Sequence, residues 1–307
     1  MSKDLFGNEI KENPVTINIY ADEIQSKFCS YTGNEWHYIG LIVEDIDNPL
    51  LDDIIQERFK GNFDTASPYY VKNNHIMHWS EIENADEKNI CKRWFEYILN
   101  PDKSQKKFYS YILGLNNSYL SKEEFDQKND FNSKYNRFFR SALKYAIKTF
   151  FGNKKIIVEN IYHEDGQQKQ HEYFPWHCIY KISEQEDIFF NCKEITFLPK
   201  DHKVDRRSNL IQLCDCVLGV TTSIINGIEK SKKSKYREEL ADCYLPLLIE
   251  LIDNTKNSSY NKRIMVRFFP KEKTDIGDPK RYRNQFYTNR NLKYVEEKSG
   301  QEELPLF

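Results

Sequence analysis

The chain has 307 residues, with 45 Lys+Arg against 47 Asp+Glu and a formal net charge of −2. No apolar run approaches the roughly 20 residues that span a bilayer, so a membrane protein is not expected. The balanced charge excludes a uniformly basic nucleic-acid coat, while leaving room for local patches that cancel.

The first residues, Met1 to Gly7, lack the apolar segment of a secretory signal. Seven cysteines, at 29, 91, 178, 192, 214, 216 and 243, contain no Cys-x-x-Cys pair. That argues against a zinc knuckle or a disulfide framework and for a reducing, cytoplasmic setting.

Period-2 alternation predicts a strand over 15–21 that ends in Asp22-Glu23, and a second strand over 36–43, the pair forming a hairpin with a long loop. Pro49 predicts a short helix that runs to Phe59. Residues 75–79 read as a strand, 86–99 as a helix with Ile90, Trp94, Tyr97 and Ile98 on one stripe, and 107–115 as a strand. A long helix is expected over 131–151, stopped by Gly152-Asn153. Strands follow at 155–162, 189–190 and 194–198. Ser208 is the candidate N-cap of a helix over 208–226, and a further helix spans 235–253. Strands and helices mixed in this way predict an α/β layer fold.

Three acidic positions sit on elements that should be buried. Asp22 and Glu23 close the first strand. Glu159 lies in the apolar run Ile156-Ile157-Val158-Glu159, with Glu164 and Asp165 just beyond. Asp215 lies inside Leu210 to Val220, on the helix face that carries Ile211, Leu218 and Gly219. Buried carboxylates need a partner, and several together call for a cation. Oxygen ligands suit Mg²⁺ or Mn²⁺, and a pair of such ions would clamp a phosphodiester for in-line attack. Taken singly, the strand-end pair also fits a solvated loop, Glu159 an exposed strand residue and Asp215 a hydrogen-bond anchor for a loop.

The run Ile19-Tyr20-Ala21-Asp22-Glu23, followed by Tyr38-Ile39-Gly40-Leu41-Ile42-Val43, resembles the opening of the domain-of-unknown-function family 3800. The run Ser208-Asn209-Leu210-Ile211-Gln212-Leu213-Cys214-Asp215-Cys216-Val217-Leu218-Gly219 resembles that family's late helix. The likeness covers about residues 15–226. It departs after Asp22-Glu23, where Ile24-Gln25 stands in place of Ser-Gly. The resemblance implies a ribonuclease H-like fold, a mixed central sheet flanked by helices, with helical insertions and a C-terminal extension. It also implies acidic residues on the central first strand, a middle strand and a late helix. Carried over, Asp22 and Asp215 would be metal ligands, with Glu159, Glu164 or Asp165 as the middle one and Glu23 the less secure neighbour of Asp22.

His163, His171 and His177 form a polar set after the middle strand, candidates for a general base or proton shuttle; scattered surface histidines in a loop are the commoner case. The pair His75 and His78 does not make a zinc site on a strand. Asp201, His202 and Asp205 precede the late helix. Cations interleaved with rings, among them Arg267, Lys271, Lys280, Arg281, Arg283 and Arg290, suit phosphates and unstacked bases of DNA or RNA. The apolar end Leu304-Pro305-Leu306-Phe307 resembles peptides that bacterial proteins insert into the groove of the DNA sliding clamp.

The expected organisation is an N-terminal arm (1–14), a ribonuclease H-like domain with insertions (15–255), a basic-aromatic extension (256–298) and an apolar-ended tail (299–307). The expected function is a metal-dependent nuclease acting on DNA or RNA. The alternative is a non-catalytic nucleic-acid-binding or adaptor subunit.

Overall fold

The computed structural model describes residues 14–30, 32–120, 131–152, 154–183, 188–227, 234–253 and 263–270. Residues 1–13 of the expected arm, the tail 299–307 with Leu304, Leu306 and Phe307, and the cations Lys271, Lys280, Arg281, Arg283 and Arg290 lie outside them.

The chain forms a mixed α/β fold around a seven-stranded sheet. Its strands are β1 (Val15–Phe28), β2 (Glu35–Asp45), β3 (Tyr109–Asn116), β4 (Ile156–Glu164), β5 (Ile188–Phe190), β6 (Thr196–Leu198) and β7 (Ile264–Phe269). The order is β5-β4-β1-β2-β3-β7. β1–β2 and β2–β3 are antiparallel, whereas β4 lies parallel to β1 and β7 parallel to β3. β5 and β6 take successive stretches of the same β4 edge, against Ile156–Val158 and Tyr162–Glu164. The strand Ile264–Phe269 closes the other edge of the sheet, inside a segment expected as an extension.

Among the described residues the helices are α1 (Leu51–Phe59), α2 (Pro68–Asn73), α3 (Ala85–Leu99), α4 (Pro101–Ser104), α5 (Phe131–Phe151), α6 (Phe174–Ser183), α7 (Ser208–Asn226) and α8 (Ser234–Asp253). Strand alternation sorts the core into two layers. Ile17, Ile19 and Ala21 of β1, with Ile39, Leu41 and Val43 of β2, pack with Phe139, Leu143 and Ile147 of α5. Tyr20, Tyr38 and Ile42 point the other way, into the layer built with α1, α3, α7 and α8. Every residue of α7 is buried. This helix is long and apolar enough to cross a membrane, contrary to the expectation that no run reaches that length, but all of it is enclosed by the fold.

Four local expectations differ from the structure. β1 runs on to Phe28, so Asp22 and Glu23 lie within the strand, with Asp22 opposite Gly40. Residues 75–79 form no strand; an irregular segment leads into a single 3₁₀ turn, Trp79–Glu81. The polar stretch after β4 contains the helix Phe174–Ser183. Ser208 is the first helical residue of α7 rather than its cap, and its hydroxyl donates to the Pro199 carbonyl at 2.6 Å.

Candidate metal centre

Alternation places Asp22 on the same face of β1 as Tyr20, towards α7, and Glu23 on the opposite face, towards α5. What lets α7 come close is Gly40, directly across from Asp22: a Cβ there would lie 3.3 Å from both Cys214 Sγ and Leu218 Cβ. The Cys214 thiol donates to the Tyr20 carbonyl at 3.9 Å. The next residue of α7, Asp215, is thereby brought to Asp22.

β4 supplies the third acid through a register shift. Val158 pairs with Ile17 and Asn160 with Asn18, so Glu159 is the extra residue of a bulge. One inserted residue exchanges the two faces of everything after it. Ile156 and Val158 point into the α5 layer before the bulge, and Ile161 does so after it. Tyr162 consequently turns to the α7 layer, and Glu164 follows it.

Asp22, Glu23, Glu164 and Asp215 line one cavity of about 380 Å³, with His78, Trp79, Ser80 and Lys200 also on its wall. Glu159 and Asp165 are not on that wall. The Glu159 carboxylate accepts from Asn191 at 2.6 Å, and Asp165 pairs with Lys169 at 2.8 Å. Of the three candidates for the middle acid, only Glu164 faces Asp22 and Asp215.

Asp22 and Asp215 are 4% and 6% exposed. Burial pushes the Asp22 carboxyl well above the ordinary carboxylate value, and the charges of Asp215, Glu164 and Glu23 push it further. Burial also raises Asp215, against the opposing effects of His78 and the Trp79 N–H. One Asp22 oxygen accepts the Glu23 backbone N–H at 2.8 Å. An Asp215 oxygen accepts the Trp79 N–H at 2.5 Å and lies 3.7 Å from His78 Nδ1. Trp79 is held in turn by its indole N–H, which donates to Ser223 at 2.8 Å, and by the absence of a side chain at Gly219, where a Cβ would collide with the tryptophan.

Lys200 reaches Glu164 at 2.6 Å. Partial burial lowers its pKa, but the bond to Glu164 and the charges of Asp22 and Asp215 outweigh this and the net shift is upward. Gln212, one turn ahead of Asp215 on α7, places both Lys200 and the segment before Trp79. Its amide donates to the Lys200 carbonyl at 2.7 Å, and its oxygen accepts the Met77 N–H at 3.1 Å.

On the α5 side of β1, the Glu23 carboxylate meets His163 Nε2 at 3.0 Å, and the Tyr135 hydroxyl is 2.8 Å from the same nitrogen. Burial lowers the His163 pKa, but Glu23 and the Glu164 carbonyl reverse this and the net shift is upward. His163 is thus a buried partner of Glu23. His171 accepts the Tyr173 and Phe174 N–H groups at the start of α6. His202 is held by Asn74 at 2.8 Å and lies against Arg58, where burial and that guanidinium drive its pKa down to about 3. Asp205 pairs with Arg207. Arg267 is exposed on the edge strand β7.

Three carboxylates of hard oxygen donors suit Mg²⁺ or Mn²⁺. Among the described residues no three His, Cys, Asp or Glu side chains are already gathered as a metal group. Lys200 sits on one of the three acids, so a bound cation would have to displace an ammonium.

A comparison with known proteins found no matching family model and no matching curated protein.

Proposed function

We propose that this chain is a divalent-metal-dependent nuclease of ribonuclease H-like fold. The observation that carries the proposal is the arrival of Asp22, Glu164 and Asp215 in one cavity from three elements: central strand β1, the neighbouring strand β4 and the late helix α7. This is the distribution of acids that the family resemblance implies. The raised pKa values of Asp22 and Asp215 supply an electrostatic demand for a cation.

Asp22, Glu164 and Asp215 would hold Mg²⁺ or Mn²⁺. When bound, the ion supplies positive charge against the charge that develops on a phosphodiester under attack. The protein's own groups set the geometry. The Glu23 and Trp79 N–H groups each fix one carboxylate oxygen, leaving the others to the cavity. His78 and Lys200 stand at the wall, where they would meet the phosphate oxygens.

The direct test is incubation of the purified protein with end-labelled DNA and RNA strands. Cutting is expected in Mg²⁺ or Mn²⁺ and none in EDTA; intact strands under every metal condition would overturn the proposal.

One observation favours the alternative of a non-catalytic subunit: Lys200 already provides a counter-charge to Glu164. The two separate on Lys200→Met. If the site is a metal centre, removing the competing ammonium tightens Mn²⁺ binding about tenfold by calorimetry, the equivalent of about 1.4 kcal/mol. If Lys200 is the permanent counter-ion, the variant binds no Mn²⁺ and is less stable.

A further inference from the structure

The cavity extends well beyond its acids. β1 and α7 run in the same direction along it. The Cys214 thiol donates to the Tyr20 carbonyl at one end, and at the other the Ser30 N–H donates to the Asn226 carbonyl at 2.9 Å. The lining follows both elements, through Ile24, Gln25 and Lys27 on β1 and through Thr222, Ser223 and Gly227 on and after α7. Lys27 is five strand residues past Asp22, roughly 16 Å at about 3.3 Å each. Ser223 is eight helical residues past Asp215, roughly 12 Å at about 1.5 Å each. A single phosphate held at the acids leaves the far end empty.

The far end is cationic. Arg237 of α8 joins Lys27 on the wall there. The Arg237 Nε is buried and, among the described residues, has no hydrogen-bond partner. Phosphate oxygens match the guanidinium fork of an arginine on such a wall. Ser80, Thr222 and Ser223 line the same cavity.

Resting on the nuclease proposal above, we infer that Arg237 and Lys27 form a second phosphate site. It would take the backbone of a single nucleic-acid strand a few nucleotides from the bond at the acids. The substrate class is then an oligonucleotide rather than a mononucleotide or an isolated diester.

The test is fluorescence anisotropy with a labelled 12-nucleotide single strand, in EDTA and in Ca²⁺, between 50 and 200 mM salt, with wild type, Arg237→Ala and Arg237→Lys. Arg237→Ala is expected to weaken binding about tenfold at low salt. It should also flatten the slope of log affinity against log salt by about 0.7, one single-strand phosphate. Arg237→Lys should keep the slope and lose part of the affinity, which separates lost charge from lost folding; thermal melts check the latter. A mononucleotide should bind all three proteins equally weakly. Unchanged affinity and slope in a folded Arg237→Ala would overturn the site, as would an acidic peptide that competes as well as the oligonucleotide, which would point to a protein partner. Failure of the nuclease proposal is read separately, as wild type that binds the strand with the expected slope and never cuts it.

Discussion

Asp22→Asn is expected to abolish cleavage and, in the absence of divalent ions, to make the protein more stable. The two effects have one cause. Asp22 is buried with Asp215 and Glu164 around it, and each ionised neighbour opposes its ionisation. Asparagine keeps the shape and the acceptor for the Glu23 N–H but removes a charge that the fold tolerates poorly. Loss of a ligand that organises charge against the transition state should lower kcat by about 10³-fold or more, since the metal's contribution is several kcal/mol and about 1.4 kcal/mol is tenfold. A stabilisation of about 1 kcal/mol corresponds to a Tm gain of about 2–4 °C in a chain of this class.

The pH dependence follows with a definite sign. The folded values of Asp22 and Asp215 are both raised above the ordinary value of about 4. The folded state therefore retains protons that the unfolded chain gives up. The stability these groups contribute is present at low pH and is lost as pH rises through the raised folded values. In EDTA, the Tm advantage of Asp22→Asn should widen from pH 4 towards pH 8, and saturating Mg²⁺ should shrink it. An advantage that is constant with pH would mean that Asp22 is not held in a repelling cluster.

Gly219→Ala should be strongly damaging, more so than alanine at any other described glycine. A methyl at 219 would lie 2.5 Å from Trp79 Cβ and closer still to the ring. Trp79 is anchored by its indole bond to Ser223 and packs against a helix with no exposed face, so neither partner has space to retreat. Overpacking of a rigid core costs about 1–3 kcal/mol, a Tm loss of several degrees. The damage is also chemical, because the Trp79 N–H holds one Asp215 oxygen. A displaced Trp79 frees Asp215 to rotate, and cleavage should fall with kcat affected more than KM. Thermal melts and single-turnover kinetics check both. Gly40→Ala, whose added Cβ meets neighbours at 3.3 Å, should be milder in both measurements. Equal damage at the two positions would contradict the role given to Trp79.

Much of the layer architecture was legible because it rests on periodicity. The alternation over residues 15–21 and the helical stripe of 131–151 each follow from the need to bury one face. Asp215 stood out for the same reason, as a charge inside an unbroken apolar helix. What periodicity could not show was the bulge at Glu159. A one-residue insertion leaves the composition of β4 unchanged and reverses which of its acids face the cavity. His78, Trp79 and Lys200 were missed because the irregular segment and loop that carry them have no repeat to read. Their positions are set by Gln212, a polar residue on α7 whose two-sided hydrogen bonding depends on which loops the fold brings to it. Gly219 was part of a recognisable run, but its significance lies in a contact with a tryptophan 140 residues away in the chain.

The central claim is that Asp22, Glu164 and Asp215 together hold a divalent cation. The most direct measurement is a crystal structure of the full chain soaked in Mn²⁺, with anomalous scattering to mark the ion. The account predicts an anomalous peak in contact with oxygens of all three carboxylates and Lys200 moved off Glu164. A site free of anomalous signal at saturating Mn²⁺, with Lys200 still bonded to Glu164, would contradict it.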